Sequence, residues 1–272
     1  MNNVLLRSVT GAVFISIILI PLFYSDTIST IVFGLFMSIG LIEFYKLFKY
    51  VDLVGVSWRT GLLYGTITYG ISSLVLFNLL PPAVLIILLP LLFSIIVLEL
   101  WRKKKNALIN ASVLVFGIVY ITIPFILMVL IITMDNKVFP LLAGMFILTW
   151  TNDTFAYLSG RIAGKTKLFE RVSPNKTWEG TIGGIVFTVL AGVAIAYLFS
   201  PEYLFFWVVS ALIIVPCSIF GDLIESLFKR NVNVKDTGTI MPGHGGVLDR
   251  FDATFFVVPF FLMWVIIYFY FE

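Results

Sequence analysis

The sequence predicts an all-α, polytopic integral membrane protein with about nine transmembrane helices and a cytoplasmic N-terminus. Its mean hydropathy is +1.06 and only 12% of its 272 residues are charged, whereas about a quarter of the residues of a soluble domain are charged. Apolar runs of roughly 18 or more residues recur along the whole chain, as membrane-spanning helices require. The Lys and Arg residues are concentrated in alternate loops, which predicts the orientation.

The predicted spans follow the apolar runs. The first run has no small-residue cleavage site and is followed at once by another span, so we expect it to be retained rather than removed as a signal peptide. The fifth span contains Pro124, where we expect a kink. The predicted spans cover residues 9–24, 28–47, 60–79, 83–100, 112–133, 140–160, 179–199, 203–222 and 252–270.

The orientation follows from the distribution of basic residues. With nine spans, the loops on the N-terminal side carry all of the 18 Lys and Arg residues except Lys137. Cytoplasmic loops carry an excess of these residues, so we expect this side to be cytoplasmic. The net charge of +3 is then explained by loops that face an anionic leaflet, and no nucleic-acid partner is expected.

The two longest polar loops, residues 161–178 and 223–251, both lie on the predicted cytoplasmic side. We therefore expect the polar chemistry there. The first half of the chain has few polar candidates inside its spans beyond Glu43 and Glu99. The predicted organisation is an N-terminal transmembrane scaffold, residues 1–135, and a C-terminal transmembrane catalytic region, residues 136–272.

Four polar side chains at the end of the eighth span share one helical face. Asp222, Glu225, Ser226 and Lys229 follow one another at i, i+3, i+4 and i+7. They could simply be the solvated face of a helix that leaves the membrane. A carboxylate at the membrane boundary, however, requires a partner or a metal, and Asp222 lies at that boundary.

Two more carboxylates, Asp249 and Asp252, open the ninth span after a glycine-rich stretch. A cytoplasmic loop joins spans eight and nine, so these acids can meet Asp222 at the inner boundary. Clustered carboxylates repel one another unless a cation lies between them, and Mg²⁺ prefers oxygen ligands. The sequence therefore predicts a metal site, with an acid cluster neutralised only by nearby Lys and Arg side chains as the alternative.

Two further polar residues stand out. Asp153 lies roughly 10 Å inside the sixth span, given the rise of a helix, where a carboxylate is expensive unless it has a function or a structural partner. His244 is the only histidine. It could donate a hydrogen bond to a phosphate or act as an acid or base, or it could only bond a backbone carbonyl within its loop.

The stretch SPNKTWEG opens the seventh span. Ser173 is predicted to cap the helix and Pro174 to occupy its first position. Free N–H groups at a helix start attract anions, and Lys176 adds a positive charge. Positive-inside topology alone would explain the basic residues of this loop but not this combination of side chains. Because no G-x-x-x-x-G-K-[ST] motif occurs, any nucleotide is bound in another way.

The residues alone thus predict metal-assisted chemistry on a phosphate at the inner membrane boundary, with one substrate from water and the other from lipid. They do not identify the lipid, the base or the leaving group.

The string SLFKRNVNVKDTGTIMPGHGGVLDRFD closely resembles the signature of the phosphatidate cytidylyltransferases, also called CDP-diacylglycerol synthases. The stretch NDTFAYLSGRIAGKTKLFERVSPNKTWEG is also similar to that family, so the resemblance covers roughly the second half of the chain. The signature positions are matched here by Ser226, Lys229, Arg230, Lys235, Asp236, residues 242–246, Asp249, Arg250 and Asp252.

The resemblance implies that CTP and phosphatidic acid give CDP-diacylglycerol and pyrophosphate, with Mg²⁺ and room for a second cation. It further implies a homodimer in the plasma (inner) membrane of a bacterium, with the active site facing the cytoplasm. The implied metal ligands are Asp222 and Asp249, then Asp153 and Asp252. The implied catalytic residues are Asp222, Asp249, Lys176 and His244, of which His244 would assist the leaving pyrophosphate or shape the loop. The implied substrate-binding residues are Ser173, Asn175, Lys176, Ser226, Lys229, Arg230, Lys235 and Arg250.

Two other functions stay open at this stage. A CTP-dependent lipid or polyisoprenol kinase would share the nucleotide and the membrane setting but transfer only a phosphoryl group. A cation-coupled membrane transporter would also place carboxylates in the membrane, although it does not explain the glycine-histidine loop.

Overall fold

The computed structural model describes residues 3–48, 51, 54–103, 105–134, 139–234, 236–238 and 245–271. Helices make up almost all of this part of the chain. The helices are α1 (Asn3–Tyr24), α2 (Asp26–Leu47), α3 (Trp58–Leu76), α4 (Leu88–Arg102), α5 (Ala107–Gly117), α6 (Ile123–Met134), α7 (Leu141–Ala163), α8 (Trp178–Phe199), α9 (Leu204–Asn231) and α10 (Leu248–Phe271). A π-helical turn, Ile118–Thr122, joins α5 to α6, and short 3₁₀ turns precede α4 and α9.

Six helices of the described chain are long and apolar enough to cross a membrane. Each of the nine predicted spans coincides with a helix, so the all-α, polytopic prediction is confirmed. The remaining three predicted spans lie on α1, α3 and α7, which do not reach that length and hydropathy over their described residues, so the count of nine is not supported. The six apolar helices are Asp26–Leu47, Pro82–Arg102, Ala107–Met134, Trp178–Phe199, Pro201–Asn231 and Leu248–Tyr270.

The predicted helix cap at Ser173 is wrong, because this stretch forms a β-hairpin. Strand β1 (Lys167–Phe169) pairs antiparallel with β2 (Ser173–Thr177), and Phe169 lies opposite Ser173. Pro174 is tolerated because a two-stranded sheet consists only of edge strands. The cap is Thr177, whose hydroxyl accepts the Gly180 N–H at 3.2 Å, and α8 begins at Trp178.

The chain forms two compact units. The first contains Met1–Thr133 and Asn231–Arg250, and the second contains Met134–Arg230 and Phe251–Glu272. The loop after α9 and the first turn of α10 are therefore grouped with the N-terminal helices. The functional division at residue 135 stays a prediction.

The first unit is built around α2. Leu41, Phe44 and Tyr45 of α2 are buried, and the Tyr45 hydroxyl donates a hydrogen bond to the Leu114 carbonyl at 2.8 Å. The π-helical turn ends at Thr122, two residues before Pro124, which lacks the N–H of a regular helix. The kink predicted at Pro124 stays a prediction, because a π turn is a local change in the hydrogen-bond pattern of a helix and not a measured bend.

A closed ring of polar contacts links the segment before α3 to α4 and α5 in the first unit. Glu99, which is buried, forms an ion pair with Arg102 and accepts a hydrogen bond from Asn110 at 3.1 Å. Asn110 accepts the Gly55 N–H at 2.8 Å, and Arg102 donates to the Gly55 carbonyl at 2.5 Å. The ring therefore satisfies a carboxylate and an amide that are both buried.

We expect Arg102→Ala to destabilise the fold strongly, because it leaves the Glu99 carboxylate buried without its cation. Breaking one partner of a buried ion pair costs about 3–5 kcal/mol. The thermal midpoint of unfolding in a fixed detergent measures the effect. Lys105→Ala, which removes an exposed cation in the same region, is the matched control. Equal midpoints for the two variants would contradict a stabilising role of the ring.

The second unit is held by aromatic contacts. The rings of Phe155 on α7 and Phe187 on α8 stack with centroids 4.0 Å apart. On α9, Phe206 stacks on Trp264 of α10, and the Trp264 indole donates to the Phe206 carbonyl at 3.2 Å. Gly221 permits a further close approach, because a Cβ there would lie 2.7 Å from the Asp252 carbonyl oxygen. This contact brings Asp222 and Asp252 to the same level of α9 and α10.

Candidate functional site

The middle of α7 contacts the middle of α9 in the second unit. Ser218, which is buried, donates a hydrogen bond to Asp153 Oδ1 at 3.0 Å. The buried Asn152 donates to Ser218 Oγ at 3.2 Å and to Asp153 Oδ1 at 3.4 Å. The Asp153 residue itself is exposed. Oδ1 of its carboxylate is thus held by two side-chain donors.

The β-hairpin brings Lys176 to the carboxylate of Asp222. The Lys176 Nζ lies 2.5 Å from Asp222 Oδ2, and the two side chains are 24% and 36% exposed. Ser226, one turn further along α9, donates to Asp222 Oδ1 at 3.3 Å. Both oxygens of Asp222 therefore have a partner. The hairpin is fixed on α8 by the Glu179 carboxylate, which accepts the backbone N–H groups of residues 165 and 166 at 3.1 Å.

Asp252 adds a third carboxylate to this part of the second unit. The carboxylates of Asp222 and Asp153 both interact electrostatically with it, as does the Lys229 ammonium group. Its Oδ1 accepts the Ala253 N–H at 2.7 Å. The three carboxylates repel one another and form what is called here the acidic cluster, namely Asp153, Asp222 and Asp252.

Asp249 makes a different set of contacts, all within the first unit. Its Oδ2 accepts the Thr237 N–H and the Thr237 hydroxyl, both at 2.9 Å, and the Gly246 N–H at 2.8 Å. Gly245 has φ +82°, and a Cβ on it would lie 2.6 Å from the same oxygen. Asp249 therefore holds the backbone on both sides of the segment between residues 238 and 245. Its role as a metal ligand stays a prediction.

The other predicted site residues lie around these groups. Lys229 forms an ion pair of 3.1 Å with Glu225, whose residue is 1% exposed, so Lys229 also has a structural role. Arg230 and Arg250 are exposed at the end of α9 and the start of α10, Asn175 is exposed on β2 and Ser173 is half-buried. Lys235 and His244 lie outside the described residues.

Sequence reasoning did not identify Asn152, Ser218 and Thr237. A helical pattern could have indicated Ser218, because residues 218, 222 and 226 of α9 are each four apart and lie on one face. Asn152 directly precedes Asp153 in the sequence, but nothing marked its side chain as a donor. The Thr237 contact depends on the conformation of an irregular loop, and no periodic pattern predicts such a contact.

The acidic cluster fits a hard divalent cation by the chemistry of its donors. All of its potential ligands are carboxylate oxygens, which Mg²⁺ prefers. Within the described residues, no three His, Cys, Asp or Glu side chains are arranged to hold a metal ion by themselves. Mg²⁺ commonly uses one or two carboxylates, with substrate phosphates and water as its other ligands. The cluster therefore suits a cation that arrives with a phosphate substrate.

The chain belongs to the Cytidylyltransferase family, which it matches over residues 5–268. It is also similar to proteins named phosphatidate cytidylyltransferase. It is 39% identical to the Staphylococcus haemolyticus protein over 176 residues, covering 63% of this chain and 65% of the relative. It is 46% identical to the Staphylococcus epidermidis protein over 117 residues, which cover 42% of this chain and 44% of the relative. It is 37% identical to the Staphylococcus saprophyticus protein over 175 residues, which cover 63% of this chain and 65% of the relative.

The family predicted from the sequence signature is thereby confirmed. The chain spans less than two thirds of the length of each of these three relatives. The matched residues, 5–268, include the hairpin, the acidic cluster and the loop held by Asp249.

Proposed function

We propose that this protein is a CTP:phosphatidate cytidylyltransferase that makes CDP-diacylglycerol and pyrophosphate for phospholipid biosynthesis. The observation that carries the proposal is the Lys176–Asp222 ion pair beside Asp153 and Asp252, in a chain of the Cytidylyltransferase family. A cation next to clustered carboxylates is suited to bind a triphosphate together with a divalent metal. The names of the relatives support phosphatidic acid as the second substrate.

The proposed reaction needs positioning and charge neutralisation more than proton transfer. An oxygen of the lipid phosphate attacks the α-phosphorus of CTP, a new P–O bond forms, and the bond from the α-phosphorus to the bridging oxygen breaks. Pyrophosphate leaves with that electron pair. Because the attacking phosphate oxygen is already anionic near pH 7, no general base is required. Preorganised positive charge near the transferring group supplies most of the rate enhancement in such reactions.

Lys176 is the residue best placed to meet a phosphate. Before substrate binds, its ammonium group is held by Asp222 and is partly exposed. Triphosphate oxygens compete for the same ammonium group, so we expect Lys176 to contact phosphate when CTP is bound. Ser226 continues to orient Asp222 through its hydrogen bond. Asp153 and Asp252 act as further oxygen donors, with Ser218 and Asn152 fixing the position of Asp153.

Mg²⁺ bound to the acidic cluster would neutralise phosphate charge and polarise the reacting phosphoryl group. Asp249 is proposed as a metal ligand in its own right, and a second cation is part of the proposal. The exposed Asn175, Arg230 and Arg250, the half-buried Ser173, and Lys235 and His244 are proposed to contact the substrates or the leaving pyrophosphate.

The membrane arrangement of the proposed enzyme follows from its basic loops. We propose nine spans, a cytoplasmic N-terminus and an active site that faces the cytoplasm across the inner membrane of a bacterium. CTP would then enter from the cytoplasm and phosphatidic acid from the leaflet. A homodimer is proposed as the functional form.

The two other functions considered from the sequence are less well supported. The family match does not favour a CTP-dependent kinase, and a cation-coupled transporter would not need the Lys176–Asp222 ion pair.

An assay of the purified protein in detergent tests the proposal directly. The protein is incubated with CTP labelled in the cytidine, with phosphatidic acid and Mg²⁺, and the lipid fraction is analysed. We expect labelled CDP-lipid, and we expect EDTA to abolish its formation. Phosphorylated lipid without cytidine would indicate a kinase, and no lipid product with or without metal would contradict the proposal.

A further inference from the structure

The β-hairpin of the second unit and the helix ends beside it carry exposed apolar side chains. Ile162, near the end of α7, is 85% exposed. Phe169 on β1 is 52% exposed, and Trp178, the first residue of α8, is 53% exposed. Single exposed apolar side chains are common on any protein, whereas a group of them marks an interaction surface.

The fold places these three side chains together. A Cβ on Gly160 would lie 3.5 Å from the Gly180 Cα, so the end of α7 and the start of α8 are side by side. Ile162 follows Gly160 by two residues and Trp178 precedes Gly180 by two, which puts both at the same end of the helix pair. The Trp178 N–H donates to the Thr166 carbonyl at 3.0 Å, so β1 starts at this level too. The third apolar side chain belongs to that strand, and the three form one surface.

Four cations accompany these apolar side chains, and all four residues are exposed: Arg161, Lys165, Lys167 and Arg171. None of the four forms an ion pair with an Asp or Glu side chain of the described residues. Lys167 Nζ donates a hydrogen bond to the Pro174 carbonyl at 2.6 Å, which holds its ammonium group on the hairpin without neutralising the charge. The four cations and the three apolar side chains are called here the hairpin surface.

An anionic phospholipid is complementary to both properties of the hairpin surface. Its phosphate accepts charge-assisted hydrogen bonds from Lys and Arg, and its acyl region accommodates apolar side chains. Trp side chains are enriched at the level of lipid headgroups. Positive-inside topology or a bound nucleotide would explain the cations but not the exposed Ile162 and Phe169. The observations therefore favour a lipid over a water-soluble phosphate.

The hairpin surface adjoins the candidate site through β2. Lys176 on β2 forms the ion pair with Asp222. The next residue, Thr177, pairs with Lys167 of β1, and paired strands lie about 4.8 Å apart. A lipid phosphate bound by the cations of β1 is therefore one strand away from Lys176.

We propose that the hairpin surface binds anionic phospholipid of the adjoining leaflet and supplies phosphatidic acid to the site at Lys176. Ile162, Phe169 and Trp178 contact the acyl region, and the cations contact the headgroup phosphate. This inference rests on the proposed function, since it assigns the bound lipid to the reaction with CTP. No bond forms or breaks at the hairpin surface, so its effect is on the apparent affinity for the lipid.

The cations are tested by KM for phosphatidic acid, measured in mixed micelles at saturating CTP. The double variant Lys165→Gln, Arg171→Gln should raise this KM about 25-fold, because each cation near an anionic surface contributes about fivefold. We expect kcat and KM for CTP to stay within about twofold of the wild type. A KM for CTP that rises as much as KM for phosphatidic acid would assign these cations to the nucleotide and overturn the proposal.

Phe169→Ser tests the apolar part of the hairpin surface. It should raise KM for phosphatidic acid about tenfold through the lost apolar contact and leave KM for CTP unchanged. The matched control Lys105→Gln removes an exposed cation of the first unit, on the same predicted side of the membrane. It should leave KM for phosphatidic acid within about twofold of the wild type. An unchanged KM for phosphatidic acid in both Phe169→Ser and the double variant would also overturn the proposal.

Fluorescence quenching supplies a readout that does not depend on activity. Cys217 is the only cysteine, so Cys217→Ser gives a background in which one introduced cysteine can be labelled. Phe169→Cys in that background is labelled with an environment-sensitive fluorophore and placed in nanodiscs. These contain phosphatidic acid or zwitterionic phosphatidylcholine with brominated acyl chains, at equal mole fraction. We expect brominated phosphatidic acid to quench at least about twofold more strongly, and Lys165→Gln with Arg171→Gln to abolish the difference.

The quenching separates the possible partners of the hairpin surface. Equal quenching by the two brominated lipids would overturn the binding of anionic lipid. A disulfide-linked dimer of unlabelled Phe169→Cys, without quenching of the labelled protein, would assign the surface to a second copy of this chain and would overturn the proposal as well. An inactive wild type would overturn the proposed function, and the quenching would still decide whether the hairpin surface binds anionic lipid.

Discussion

Replacing Asp222 with asparagine is expected to reduce the kcat of CDP-lipid formation on the order of 100- to 1,000-fold. Asparagine keeps the shape of the side chain and an acceptor for Ser226, but it removes the charge that pairs with Lys176. It also removes the negative oxygen that a divalent cation would need. The loss should appear at saturating CTP and phosphatidic acid, because the missing charge acts on the transferring group and not only on binding.

The same substitution should leave the fold intact. Asp222 repels Asp252 and Asp153, so a neutral residue relieves repulsion within the acidic cluster. We therefore expect a thermal midpoint equal to or above that of the wild type, although Lys176 loses its partner. An inactive but stable protein separates a catalytic role from a structural one.

Glu170→Gln is the matched control for this experiment. Glu170 is exposed in the turn between β1 and β2, on the hairpin that carries Lys176. The same change of charge at that position should leave kcat within about twofold of the wild type, as expected for an exposed surface charge. A kcat for Asp222→Asn above half of the wild-type value would refute the assigned role of Asp222.

The helices could be predicted from the sequence because hydropathy alone carries that signal. Each apolar run lies on a helix, and the spacing of Asp222 and Ser226 correctly predicted that they share a face. The spans on α3 and α7 are harder to assign, because polar side chains such as Asn152 and Asp153 lower the hydropathy of α7. Asp153, which lowers the hydropathy of α7, is also one of the three carboxylates of the acidic cluster.

The contacts that complete the candidate site could not be predicted in the same way. The Lys176–Asp222 pair joins residues that are far apart in the chain, through a hairpin whose Ser-Pro start looked like a helix cap. The cap is instead Thr177, which directly precedes Trp178, the first residue of α8, and its hydroxyl accepts the Gly180 N–H. Glu43 was noted as an unusual charge in a span, but its contact with Leu248 depends on a loop of irregular backbone.

Asp249→Asn is expected to lower kcat/KM for CTP about 100-fold, through two effects that can be separated. The wild-type carboxylate holds Thr237 and Gly246 through hydrogen bonds to one oxygen, and it is also a predicted metal ligand. Asparagine can still accept hydrogen bonds through its carbonyl oxygen, so much of the tether should persist. The charge needed for a metal is lost, so half-maximal activity should require about tenfold more Mg²⁺.

Thr237→Val provides the complementary change. It removes the hydroxyl that donates to Asp249 while the backbone N–H of residue 237 can still donate. We expect kcat/KM to fall about tenfold, as for the loss of one hydrogen bond to a charged group, with the Mg²⁺ requirement unchanged. If Asp249→Asn also leaves the Mg²⁺ requirement unchanged, Asp249 is not a metal ligand. Its function is then to hold the backbone at residues 237 and 246 through hydrogen bonds.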